Sequence, residues 1–187
     1  MKQTLISSFG AFLTVQINPT RELGQELGRL PSCNLVELPV QFGESYRLLR
    51  SEIFNTEPHT LIMLGVAGDR NHICLETVGL NWVQSRGPDA AGLRPSSGVI
   101  VPGADLAIMT QIQIENILNQ LSAESRKYVR QSFSAGTYVC NDLYFRVLND
   151  QELTCQKIFI HVPPFEVLEK SIQIVVLKEL VNCIRCD

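Results

Sequence analysis

Strand-like and helix-like patterns alternate along this chain, which predicts an α/β layered domain. Two observations carry that class. Short apolar runs at Thr4–Phe9, Leu35–Val40, Thr60–Leu64 and Lys157–Val162 are bounded by turn residues, as buried strands are. Between them lie segments with helical spacing and recognisable ends. With 187 residues, 45% of them hydrophobic, the chain can bury a substantial core in a single domain, 1–187.

The elements follow in order. Thr4–Phe9 reads as the first strand. Asn18-Pro19 supplies a helix cap and a proline at the first helical position, so a helix runs through Glu22 and Leu27 and stops near Gly28. A strand at Leu35–Val40 follows. Tyr46, Leu49 and Ile53 mark one face of a second helix, ended before Pro58. Thr60–Leu64 is a short buried strand, and Gly65 and Gly68 are expected to form a turn lining a pocket. Ile73–Asn81 reads as one strand. Residues Gln84–Gly103 are rich in Gly, Pro and Ser with little periodicity, which suits a lid or binding loop as well as a disordered surface segment. Ile112–Leu121 has helical spacing. A strand at Tyr128–Phe133 feeds a helix at Cys140–Leu148, and after Lys157–Val162 a last helix spans about Val167 to Ile184. No internal repeat or low-complexity tract is present.

Composition excludes several function classes. The net charge is −3 and the basic residues are scattered, which argues against nucleic acid as a partner. No apolar run approaches the roughly 20 residues of a membrane span. The segment Thr4–Val15 carries Gly10 within a poor apolar stretch and is not read as a signal peptide, so the expected compartment is the cytoplasm. Six cysteines (Cys33, Cys74, Cys140, Cys155, Cys183, Cys186) in a chain of this length do not suggest a disulfide scaffold. Cys183 and Cys186 form a C-x-x-C at the end of a terminal helix, the wrong place for a low-pKa redox pair. His72 and Cys74 are too few for zinc, so no metal or other cofactor is expected. Gly65-x-x-Gly68 lacks the Lys-Ser/Thr of a phosphate loop.

The most chemically informative stretch is Ser132–Asn141. A strand-like run turns at Ala135-Gly136 and delivers Cys140 where a helix begins. Unpaired N–H groups and the positive end of the helix dipole favour thiolate there, and the same N–H groups can hold an oxyanion. Of the three histidines, His161 closes an apolar strand ended by Pro163-Pro164, where open α/β sheets place their sites. A period of two sets Glu76 on the face of Cys74, Val78 and Leu80, where a carboxylate needs a partner. Taken singly, each has a plain structural reading: a buried free cysteine, a core histidine, an ion pair of Glu76 with Arg70 or Arg86.

Together these segments resemble pyroglutamyl peptidase type I, the pyrrolidone-carboxylate peptidase family of cysteine peptidases. Ser132 through Cys140-Asn141 to Phe145 fits its cysteine motif, Gly65-Val66-Ala67-Gly68 through Glu76 to Asn81 fits its glutamate motif, and Phe159–Pro163 fits its histidine segment. Ser8–Phe12 and Ile17-Asn18-Pro19 extend the likeness towards the N-terminus. Departures are Cys74 for a Ser or Thr, Thr77 for a basic residue, Gly79 for Ala, Val66 for a glutamine, and Ala11, Leu13 and Thr14 for a proline and a glycine pair.

The resemblance implies a three-layer α/β/α sandwich with a mixed, mostly parallel central sheet. It implies Cys140 as nucleophile, His161 as base and Glu76 as the group that orients it, with the Cys140 N–H and Arg86 serving the oxyanion. Phe9 and Phe12 are implied to sandwich a lactam ring, with Asn18 and Val66 at the same substrate site. The implied substrate is an N-terminally pyroglutamylated peptide or small acyl amide, cleaved through a thioester, and self-association into a homo-oligomer is common in the family. Changes at Phe9–Thr14, at Val66 and after Asn81 keep open an amide hydrolase or cyclising acyltransferase acting on another small acyl group. A non-catalytic binding protein on the same scaffold is the remaining alternative.

Overall fold

The computed structural model describes residues 2–10, 18–85 and 87–186. Its elements are β1 (Thr4–Phe9), α1 (Pro19–Leu27), β2 (Cys33–Leu38), α2 (Glu44–Thr56), β3 (Thr60–Val66), β4 (Ile73–Glu76), β5 (Val78–Leu80), β6 (Ala107–Met109), α3 (Ile114–Gln120), α4 (Ala123–Arg126), β7 (Val129–Ser132), α5 (Val139–Asn149), β8 (Gln156–Val162) and α6 (Lys170–Cys186). Six strands form the central sheet in the order β2-β1-β3-β8-β4-β7. All neighbours pair in parallel except β4 with β8, so the sheet is mixed and mostly parallel.

Both faces of the sheet are covered, which is why β1 and β4 are buried at every position and read as continuous rather than alternating runs. On one face Ile6, Ile62, Leu64, Ile73, Leu75, Ile158 and Ile160 pack under α1, α3 and α6 through Leu23, Ile117, Leu177 and Leu180. On the other, Leu5, Phe9, Leu61, Met63 and Phe159 pack under α2 and α5 through Leu49, Leu143, Tyr144 and Val147. The result is the α/β/α sandwich that the resemblance implied. The expected start of α1 is also present: Asn18 caps it by accepting from the Thr20 N–H at 3.0 Å, with Pro19 inside the first turn.

Two expectations are corrected, and one alternative left open is decided. First, Ile73–Asn81 is not one strand. The chain leaves the main sheet at Thr77, whose N–H donates to the Ser132 carbonyl at 2.7 Å and whose carbonyl accepts from the Thr110 N–H at 2.9 Å. Val78–Leu80 then pairs antiparallel with Ala107–Met109, a short strand with no period-two signal of its own. This small sheet lies against α5 so closely that a Cβ on Gly79 would stand 3.0 Å from the Phe145 Cα. Second, Gly65 belongs to β3 and not to a turn, which begins at Gly68.

Third, the described part of the 84–103 loop is tethered. Asn81, buried, accepts from the Ile100 and Val101 N–H groups at 2.9 and 2.8 Å and donates to the Val101 and Ala104 carbonyls. Asp89, also buried, accepts from the N–H groups of Phe42, Ala91 and Leu93. Such charge-assisted and buried bonds fix a connection that its composition leaves undecided.

Candidate active site

The cysteine is delivered by a turn and received by a helix. After β7 ends at Ser132, Gly136 takes a φ of 78°, a left-handed conformation that favours glycine and reverses the chain. Helix α5 begins at Val139, so the Cys140 N–H is one of the first-turn donors that lack an intrahelical acceptor. The turn is braced from three sides. Tyr138 donates its hydroxyl to the Pro88 carbonyl at 2.7 Å and sets its ring edge-on to Phe42. Thr137 is tied to Gln84 by both its carbonyl and its hydroxyl. Asn141, fully buried, bonds the Leu80 N–H and the carbonyls of Leu80 and Trp82.

Beneath the thiol lies a gap in the sheet's side-chain layer. A Cβ built on Gly65 would lie 3.0 Å from the Cys140 Sγ and 2.7 Å from two ring carbons of Phe159. The sulfur therefore rests on the bare backbone of β3. In the β3–β8 register Gly65 stands opposite His161, on an adjacent strand about 4.8 Å away. His161 is 4% exposed, with its ring 4.8 Å from that of Phe159.

Glu76 reaches the same imidazole from β4. In the antiparallel β4–β8 register Cys74 faces His161 and Glu76 faces Phe159, and the Glu76 Oε1 lies 2.7 Å from His161 Nδ1. With the carboxylate ionised, Nδ1 carries the proton and donates it, which leaves Nε2 as the basic nitrogen. Arg70 Nη1 donates to the same Oε1 at 2.5 Å, and its Nη2 donates to the Ser134 carbonyl at 2.6 Å. The Tyr144 hydroxyl donates to the Glu76 carbonyl at 2.8 Å. Glu76 is thus both ion-paired and bonded to the histidine, so its two readings from sequence coincide.

The resting thiol is not the depressed one that a helix start suggests. Burial, reinforced by the Glu76 charge, pushes the Cys140 thiol up to about 12, against the opposing pull of its backbone N–H and of Arg70. Burial likewise pushes up Cys74, which Arg70 partly offsets, and Tyr144, so neither titrates in the working range.

Of the residues singled out from sequence, Glu76, Cys140 and His161 converge on this one face. Phe9 lies on the same face, two residues beyond the Ser7↔Met63 pair, on the side of Gly65 away from His161, and is 3% exposed. Asn18 is spent on structure: besides capping α1 it donates to the Gly10 carbonyl at 3.0 Å and accepts from the Thr20 hydroxyl. The Val66 side chain packs with the layer under α1 and α6, on the sheet face opposite the thiol. Phe12 and Arg86 lie outside the described residues. Arg70 was a candidate ion-pair partner of Glu76 from sequence, and the structure makes that pair. Sequence reasoning missed its second bond, to the Ser134 carbonyl, and missed Asn141 as a brace. Among the described residues no group of three or more His, Cys, Asp or Glu is placed to hold a metal ion.

An α/β/α sandwich with a buried Glu–His pair on the same sheet face as a helix-borne thiol has the parts of a thiol-dependent acyl-transfer enzyme, the class that includes the cysteine peptidases. Comparison with known proteins then gives the family: the family model "Pyroglutamyl peptidase" matches residues 2–180, and the chain belongs to that family. The pyrrolidone-carboxylate peptidase of Enterobacter sp. (strain 638) is 33% identical over 171 residues, 87% of this chain and 78% of that protein. That of Thermococcus kodakarensis is 32% identical over 86% of this chain and 81% of its own length. The crystal structure of Bacillus amyloliquefaciens pyroglutamyl peptidase I superposes with a TM-score of 0.89 at 26% identity, covering 100% of this chain and 98% of that one.

Proposed function

We propose that this protein removes an N-terminal pyroglutamyl residue from peptides, with Cys140 as nucleophile, His161 as proton carrier and Glu76 as the group that orients it. The observation that carries this is the convergence of the three on one face: Sγ resting on Gly65, His161 opposite Gly65, and Glu76 bonded to His161 at 2.7 Å.

The chemistry follows from the protonation states. A thiol pushed up to about 12 is a poor nucleophile alone, so His161 takes its proton as the sulfur attacks. The carbon–sulfur bond forms at the carbonyl joining the pyroglutamyl group to the next residue. The carbonyl oxygen becomes an oxyanion held by the Cys140 N–H, with Arg86 as the second proposed donor. The imidazolium returns the proton to the leaving amine and the C–N bond breaks. Water then attacks the thioester, His161 accepts its proton, and pyroglutamate leaves as the thiol re-forms. Glu76 stabilises the imidazolium at both stages. Phe9 and Phe12 form the proposed walls of an apolar slot for an uncharged five-membered lactam. The free thiol suits a reducing compartment, which we take to be the cytoplasm.

The replacement of a glutamine by Val66, which spoke for a different acyl group, loses weight because Val66 faces the other layer. Release of a fluorophore from a pyroglutamyl amide, with reductant present and a prolyl amide as control, tests the proposal. Turnover should occur with the first amide only and vanish in Cys140→Ala. No turnover of either amide, with Cys140 still open to alkylation in the wild type, would move the assignment to another acyl substrate.

A further inference from the structure

Glu76 has an odd charge environment. Its carboxylate is fully buried, one oxygen accepts from both Arg70 and His161, and the other has no hydrogen-bond partner among the described residues. Two donors on a single oxygen compete for its charge. Arg70 is 23% exposed along its side chain, bridges to the carbonyl of Ser134 in the turn that delivers Cys140, and cannot lose its proton. We propose that Arg70 is a positioning residue of this site: one guanidinium clamps the Glu76 carboxylate and the cysteine turn together, and sets how much carboxylate charge reaches the imidazole and the thiol. This rests on the functional reading above and adds a residue to it.

The surroundings leave few other groups for this task. The titratable groups around the carboxylate are Cys74 on its own strand, Cys140 and Tyr144 from α5, and His161 from β8, with Arg130 of β7 acting on Cys74. Cys74 and Tyr144 stay neutral. Arg70 is therefore the described cation in direct contact with Glu76, apart from His161 when protonated. A fork geometry is needed, because the two acceptors lie on different elements and one guanidinium offers parallel N–H groups to both.

The sign of the effect follows. Arg70 holds the Cys140 thiol down against the Glu76 charge, so without the guanidinium the thiol keeps its proton to higher pH. The pH profile moves upward with it.

The experiment compares kcat/KM against pH for a pyroglutamyl amide in wild type, Arg70→Met, Arg70→Lys and Cys140→Ala, together with the pH dependence of Cys140 alkylation by iodoacetamide. Arg70→Met should move the alkylation profile of Cys140 up by about 1 pH unit or more, a roughly tenfold slower reaction at a given pH on its rising limb, as expected for removing an adjacent charge. The kcat/KM profile should shift in the same direction. Arg70→Lys, which keeps the charge and loses the fork, should leave the bell in place while lowering kcat/KM about tenfold at every pH. A wild-type bell in Arg70→Met with only a lowered melting temperature overturns the proposal. If Arg70→Met does not fold, wild-type kcat/KM in Arg70→Lys overturns it. Persistent turnover in Cys140→Ala sinks the functional reading and this inference with it, whereas a dead Cys140→Ala beside an unmoved Arg70→Met bell sinks the inference alone.

Discussion

Gly65→Ala should damage stability and chemistry together, because one added carbon enters the space shared by the Cys140 sulfur and the core. That carbon would stand 2.7 Å from the Phe159 Cε1 and Cζ and 3.0 Å from the Cys140 Sγ, where ordinary contacts begin near 3.4 Å. Phe159 is fully buried between the rings of Tyr144 and His161, so it has no free direction of retreat. Overpacking a tight core costs about 1–3 kcal/mol. Stiffening the unfolded chain returns about 0.4–1 kcal/mol. The net loss is about 1–2 kcal/mol, which lowers Tm by about 2–8 °C for a chain of this size. The sulfur must also withdraw by about half an ångström, enough to cost about tenfold in kcat/KM. Thermal melts and pyroglutamyl-amide turnover read the two effects. Gly68→Ala, where no described residue lies within 4 Å of the added carbon, is the control and should be neutral or slightly stabilising. A Gly65→Ala protein with unchanged Tm and unchanged turnover would refute the placement of the thiol on β3.

Other expectations concern the acid–base pair, the thiol and the loop. His161→Ala should abolish turnover nearly as completely as loss of Cys140, whereas Glu76→Gln should retain more activity because in the proposed mechanism it removes an orienting charge and not the proton carrier; steady-state kinetics decides the order. The Cys140 thiol titrates near 9.0 when unperturbed and is pushed up to about 12 in the fold. Its contribution to stability is thus whole below about pH 9 and is lost as pH rises towards about 12, so Cys140→Ala should show a smaller alkaline loss in urea melts than wild type. Asn81→Ala removes four hydrogen bonds and strands the buried Ile100 N–H; it should cost about 2–3 kcal/mol and speed amide exchange at 100–104.

Local sequence determined much of what surrounds the site. Asn18-Pro19 starts α1, the apolar runs mark the main strands, and the turn through Gly136 places Cys140 at a helix start. These features depend on neighbours in the chain: a cap reaches two residues on, a glycine serves its own φ, and period two assigns a face. The same period carried Glu76 correctly onto an apolar face but ran on through Thr77, where the chain changes sheets. Periodicity says which side a residue takes and not which strand will pair with it.

Tertiary structure alone decided the rest. The direction of β4 against β8 brings Glu76 to His161 across 85 residues of sequence, and the clamp from Arg70 to Ser134 spans 64. Val66 and Gly65 are adjacent in sequence, yet the pleat gives one to the α1/α6 layer and leaves the other beneath the sulfur. The thiol's raised pKa comes from burial and from a carboxylate on another strand, a field summed over space. A sequence can name the nucleophile, base and acid by their types and local settings. Their distances, and the charge each feels, exist only once strands distant in the chain have paired.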